Sequence, residues 1–169
     1  MYLRYLLLEN LRRFARAEFE FAPGLTVVMG PNASGKTTLL EAVHLLATTT
    51  SPRTGNWRHL LQRGQAWARV TAACERDGAE LSVRLLLGEA AEGGAGKAIE
   101  VNGRRLDNLR DAVGKVQIVL FWAGELEVVK GGPEQRRHFL NKALGQLSRR
   151  HLDDLIRYRR ALRQRNEVL

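Results

Sequence analysis

The stretch Leu25-Thr26-Val27-Val28-Met29-Gly30-Pro31-Asn32-Ala33-Ser34-Gly35-Lys36-Thr37-Thr38 decides the reading of this chain. Its first five residues are almost wholly apolar, the pattern of a central strand buried on both faces. Gly30 to Thr37 satisfy G-x-x-x-x-G-K-[ST], and a helix is predicted from Gly35 to about Ala47. In that setting the glycines let the backbone curl until successive N–H groups, from about Asn32 to Lys36, converge on a phosphate. The positive end of the following helix adds to the attraction. Lys36 then supplies a point charge between the β- and γ-phosphates, the Thr37 hydroxyl ligates Mg²⁺, and Thr38 adds a contact near the α-phosphate. A glycine-rich turn that matched the pattern by accident would have no reason to follow a strand and open a helix.

Outward from this loop, strands come first and helices last. Tyr2 to Leu8 and Ala17 to Phe21 read as strands, with Pro23-Gly24 as the turn into Leu25. Ala66 to Cys74 and Ala79 to Leu87 form a hairpin closed by Asp77-Gly78. Ala98 to Val101 and Val116 to Trp122 read as further strands, with a short helix near Leu106 to Val113 between them. Gly88 to Gly96 is a low-complexity loop. The expected fold is α/β: a mixed sheet with an antiparallel flank, followed by basic helices. Residues 1–132 are expected to form a nucleotide-binding lobe, and residues 133–169 the start of a second lobe or arm.

The composition narrows the class. The 169 residues are 44% hydrophobic, enough for a core. The lone cysteine, Cys74, excludes an internal disulfide framework and a cysteine-based zinc site. No run approaches the roughly 18 apolar residues of a membrane helix, and the first thirty residues lack a secretory signal's profile. The cytoplasm is the expected compartment, with no membrane partner. A net charge of +9 favours a polyanionic partner. Most of the excess lies from Pro133 onward, where ten basic residues face four acidic ones on two predicted amphipathic helices. Two readings stand there: a solvated face beside a partner lobe, or arginines on DNA phosphates, with Arg136, Arg137, Arg159, Arg160 and Arg163 as candidates.

The phosphate loop alone leaves kinases, GTPases and ATPases open, and the remaining segments choose among them. Leu8-Glu9-Asn10-Leu11-Arg12, Phe19-Glu20-Phe21-Ala22-Pro23-Gly24, the loop itself and Leu40-Glu41-Ala42-Val43 resemble the start of an ABC-class ATPase head of the RecF and SMC kind. Ser51-Pro52-Arg53-Thr54, Leu60-Leu61-Gln62-Arg63-Gly64, Val101-Asn102-Gly103, Val119-Leu120-Phe121, Leu126-Glu127-Val128-Val129-Lys130-Gly131, Arg136-Arg137-His138-Phe139-Leu140 and Tyr158 to Asn166 narrow the resemblance to the RecF family. It implies that Asn10 and Arg12 lie against the nucleotide from the first strand's end, and that Ser51 and Arg53 approach its base or phosphates. The ordinary alternatives are a strand-terminating turn for Asn10 and exposed charges for the arginines. The resemblance further implies an ATP-dependent homodimer on duplex DNA and single-strand/double-strand junctions. RecO and RecR are its expected partners, and recombinase loading at gaps its expected role.

The departures are as informative. After Phe121 the family's Pro and Asp are replaced by Trp122-Ala123-Gly124-Glu125. Glu125 is the candidate stand-in for metal or γ-phosphate sensing. Leu147-Ser148-Arg149-Arg150 lacks the glycine of a signature motif, and Asp153-Asp154 falls on a basic helix instead of ending an apolar strand. Hydrolysis by this chain alone is therefore not expected, since the paired acids that hold Mg²⁺ and orient water belong to a second lobe. Two other classes stay open at this stage: a different ABC-type ATPase, such as a transporter head or a nuclease-linked ATPase, and a nucleotide-binding module without turnover.

Overall fold

A computed structural model describes residues 1–88, 96–121 and 127–168. The chain divides into two compact units, Met1–Val116 and Gln117–Leu169.

The first unit is built on six strands in the order β2-β1-β3-β4-β5-β6. These are β1 (Tyr2–Leu11), β2 (Phe14–Glu20), β3 (Trp67–Arg76), β4 (Ala79–Gly88), β5 (Lys97–Val101) and β6 (Arg104–Arg105). Every pair is antiparallel. The hairpin read from sequence is present, with Arg76 opposite Ala79. Its two turn residues, Asp77 (φ 53°) and Gly78 (φ 79°), are both left-handed, as a two-residue turn matching the strand twist requires. Helix α1 (Lys36–Thr48) packs on β3 and β4. Leu6, Leu8, Leu45, Val70, Val83, Leu85 and Ile99 are buried. Alternate residues of the strands supply one side of this core, and Leu39, Ala42, Leu45 and Leu46 of α1 supply the other. The C-terminus of α1 is closed by Lys97, whose ammonium donates to the Thr49 carbonyl at 2.8 Å. A cation there complements the helix dipole, while burial pulls the Lys97 pKa down.

Two expectations are corrected. Leu25 to Met29 form no strand and are exposed, Leu25 at 93% and Met29 at 86%. Both edges of β1 are taken, by β2 and β3, so the run cannot pair with β1. Val116 to Phe121 likewise form no strand; Val116 makes one isolated bridge to Val113, and Val119 and Phe121 are exposed. An all-apolar pattern encodes burial on two faces, but a strand needs an edge to pair with as well. Residues 89–95 of the low-complexity loop, and Trp122 to Leu126 with the candidate Glu125, lie outside the described residues. The short helix near Leu106 to Val113 is a single 3₁₀ turn, Leu109–Ala112.

The opposite sheet face carries an ionic ladder. Glu9, 8% exposed, accepts from both Arg69 Nε and Nη2 and from Arg16 Nη1, and Arg16 also holds Glu18. The Arg69 hydrogen bonds hold the Glu9 carboxyl below its usual range, outweighing its desolvation. Because the folded pKa is depressed, this stabilisation is complete above the ordinary carboxylate range and is lost as pH falls through it. Glu9→Gln should therefore flatten the acid limb of a stability-versus-pH profile between about pH 5 and 3. An unchanged acid limb would remove Glu9 from the account.

The second unit holds α2 (Glu127–Lys130), α3 (Pro133–Leu147) and α4 (Arg149–Val168). Pro133 starts α3 where a missing N–H costs nothing. The Gln146 side chain brackets Ile118, accepting from its N–H (2.9 Å) and donating to its carbonyl (3.2 Å). A side-chain amide thus satisfies the backbone that a neighbouring strand would otherwise pair.

Candidate functional site

The phosphate loop lies where the sequence puts it, at the N-terminus of α1. Gly35, the residue before the helix, has φ 107°. A Cβ there would fall on the Phe14 ring of β2, so only glycine fits the position both torsionally and sterically. Ala33 is also left-handed, at φ 62°. That costs a residue with a Cβ about 1 kcal/mol and marks a loop held in a special curl. The first N–H groups of α1, at Lys36, Thr37 and Thr38, have no partner within the helix and face an anion by default. Lys36 Nζ donates to the carbonyls of Gly30 (2.6 Å) and Pro31 (2.8 Å). Two of its three donors pin the ammonium inside the bend, and the third is left for a ligand.

A cavity of about 420 Å³ opens over this loop, walled by Asn32 to Thr38 and also by Arg12, Arg13 and Arg53. The resemblance implied Arg12 and Arg53; Arg13 was not anticipated, and only its charge marked it. Arg12, at the end of β1, has φ 55° and donates from Nη1 to the His59 carbonyl at 2.7 Å. Asn10 and Ser51 are not part of the cavity wall. Asn10 takes φ 50° near the end of β1, and its carbonyl accepts from the Gln62 N–H. Ser51 bonds to Glu41, a buried carboxylate of α1 that collects Arg12 and Arg53 as well. The signal for Glu41 was present: one acid among Leu39, Leu40, Ala42 and Val43 on a core-facing helix.

Thr37 is exposed in the first turn of α1, whereas Thr38 is buried. The Thr37 hydroxyl is a hard oxygen donor beside the phosphate cradle. Mg²⁺ keeps several waters and shares phosphate oxygens, so one protein hydroxyl fits it. No group of three His, Cys, Asp or Glu residues that could hold a metal occurs among the described residues. His44 is buried and bonded to the Thr50 carbonyl and the Thr48 hydroxyl. Asp153 and Asp154 pair with Arg149, Arg150 and Arg157 along α4, as a helix-surface pair does. Arg136, Arg137, Arg159, Arg160 and Arg163 are all exposed.

A glycine-shaped loop at a helix N-terminus, a pinned lysine and arginines across the cavity define a P-loop nucleotide-binding head. The chain belongs to the family described as AAA domain, whose model matches residues 5–120. Within it the RecF resemblance holds. "DNA replication and repair protein RecF" of Halalkalibacterium halodurans is 36% identical over 169 residues, covering 100% of this chain and 44% of the relative. The protein of the same description from a Synechococcus species is 42% identical over 171 residues, covering 100% and 43%. The chain thus spans less than half the length of these relatives. Two solved structures of "the recombination mediator protein RecF" in the RecFOR pathway are similar at 28% identity. The RecF-ATPrS structure has a TM-score of 0.89 over 98% of this chain and 44% of its own. The RecF-ATP structure has 0.88 over 99% and 44%. The SMC head domain from Thermotoga maritima, 20% identical, shares the fold alone, with a TM-score of 0.58 over 78% of this chain and 52% of its own.

Proposed function

We propose that this chain is the ATP-binding part of a RecF-type DNA replication and repair protein that works in the cytoplasm. The observation that carries this reading is the curled loop from Gly30 to Thr37, its lysine pinned under a cavity that three arginines share. Backbone N–H groups of Asn32 to Lys36 hold the β- and γ-phosphates, and Lys36 and the α1 dipole neutralise their charge. Thr37 would supply one oxygen ligand to Mg²⁺, which would help neutralise the phosphate charge. Arg12 and Arg53 face the same anion, while Asn10 and Ser51 support the segments that carry them. Glu125 stays the candidate sensor of metal or γ-phosphate. Titrating ATP into the chain with and without magnesium tests this reading. Saturable binding that weakens on chelation supports it, and no binding in either condition ends it.

The complete protein of this type is proposed to close as an ATP-dependent homodimer on DNA. It would engage single-strand/double-strand junctions together with RecO- and RecR-type partners and help load a recombinase at gaps. Within this chain, α4 is the candidate DNA element. Its N-terminal half pairs arginines with Asp153 and Asp154. Arg159, Arg160 and Arg163 beyond them share one helix face and pair with no acid among the described residues. Arg136 and Arg137 on α3 are exposed as well. The triple variant R159A/R160A/R163A should lower the slope of log affinity against log salt by about 2 to 3 for duplex DNA. An unchanged slope would leave α4 as a solvated face.

A further inference from the structure

The nucleotide reading makes no use of Glu41, yet this side chain, 1% exposed on α1, organises the cavity wall. It accepts from Arg12 Nε at 3.1 Å and Arg12 Nη2 at 2.9 Å, from Arg53 Nη1 at 3.4 Å, and from the Ser51 hydroxyl. These donors come from three separate segments: the end of β1, α1's own C-terminal continuation at Ser51, and the turn after it. We propose that Glu41 is a positioning residue for nucleotide binding, holding Arg12 and Arg53 at the cavity wall so that a triphosphate meets guanidinium groups already aimed. The inference rests on the ATP-binding reading above and goes beyond it.

The donor count supports it. A guanidinium has five N–H groups. Arg12 spends two on Glu41 and one on the His59 carbonyl, which leaves two, and Arg12 lines the cavity. Its backbone is fixed too, because the Arg12 N–H donates to the Leu60 carbonyl at 2.7 Å. A phosphate and Glu41 therefore do not compete for the same Arg12 donors. Arg53 is held by one longer contact, is 40% exposed and lines the same cavity. Glu41 also sets the turn that carries Arg53. The Ser51 hydroxyl, donating to the carboxylate, accepts from the N–H groups of Arg53 (3.0 Å) and Thr54 (3.2 Å). With two guanidinium groups on one carboxylate, the wall keeps a net positive charge for an anion. A long side chain already immobilised has less rotamer freedom to lose when the ligand arrives.

The test is a double-mutant cycle read by calorimetric titration of magnesium-ATP into the whole chain, with the melting temperature of each variant recorded in the same buffer. Glu41→Gln keeps the shape and one acceptor but removes the charge; it should weaken ATP binding about tenfold, and Arg53→Ala alone about threefold. In the Glu41→Gln background, Arg53→Ala should change the Kd by less than about 1.5-fold, because the aimed guanidinium is already lost. Glu41→Asp, which retains the charge at shorter reach, should sit between, about threefold weak. ATP binding by Glu41→Gln as tight as that of the unsubstituted chain, or tighter, overturns the proposal and makes Glu41 a spectator or a competitor. So does a lowered melting temperature with the Arg53→Ala effect intact, which is the mark of a purely structural role. Should Glu41→Gln not fold, unsubstituted affinity in Glu41→Asp overturns the proposal in its place. An unsubstituted chain that binds no ATP instead removes the nucleotide reading itself, and that result needs no variant.

Discussion

Lys36→Met should weaken ATP binding by about a hundredfold, the equivalent of roughly 3 kcal/mol, because it removes a charge-assisted hydrogen bond to phosphate. Methionine keeps the apolar stem and deletes only the ammonium, so the change isolates the charge. The carbonyls of Gly30 and Pro31, which hold that ammonium at 2.6 and 2.8 Å, lie on a solvent-exposed loop. Water can replace the lost donor there, and the melting temperature should stay nearly constant. A Kd within threefold of the unsubstituted chain would mean that this loop does not carry the phosphate, and the P-loop assignment would fall with it.

Leu85→Ala should cost 2–5 kcal/mol of stability, since a fully buried leucine loses its transfer free energy and leaves a cavity. Leu85 lies on β4 and pairs with Val70 on one side and Ile99 on the other, and α1 packs against the same sheet. Its neighbours belong to several elements at once and cannot all collapse into the space. The identical change at Leu25, 93% exposed, should stay within about 0.5 kcal/mol. Denaturant midpoints of the two variants measure the contrast. A Leu25→Ala penalty comparable to that of Leu85→Ala would mean the run from Leu25 to Met29 is packed after all.

That contrast shows where sequence reasoning reached its limit. Leu25 to Met29 and Leu81 to Leu87 are both apolar-rich, and both read as strands. What separates them is pairing. Leu81 to Leu87 have β3 on one edge, reached through a two-residue turn, and most of them have β5 on the other. Leu25 to Met29 pair with no strand of this sheet, and β1 is flanked on both sides. Pairing partners remote in sequence leave no mark on the run itself.

The loop from Gly30 to Thr38 was legible for the opposite reason. Its chemistry is local: backbone curvature, glycine torsions, a helix N-terminus and one lysine all fall within nine consecutive residues, so residue types at fixed spacing carry the geometry. The Asp77-Gly78 hairpin and the basic character of α3 and α4 are local in the same sense. Arg12, Arg53 and Ser51 could be connected to the site only through family resemblance, and Glu41 stood out only as one acid among apolar helix residues, with nothing to link it to the arginines. Their convergence depends on β1 ending beside α1 and on the chain doubling back at Thr49, and such contacts, 10 to 29 residues apart, have no pattern in a linear text. The sequence by itself determined the phosphate cradle and its lysine, because short-range torsions and hydrogen bonds define them. Only the tertiary structure decided which apolar runs pair into a sheet and which carboxylate aims the arginines, because burial and long-range electrostatics are properties of the packed chain.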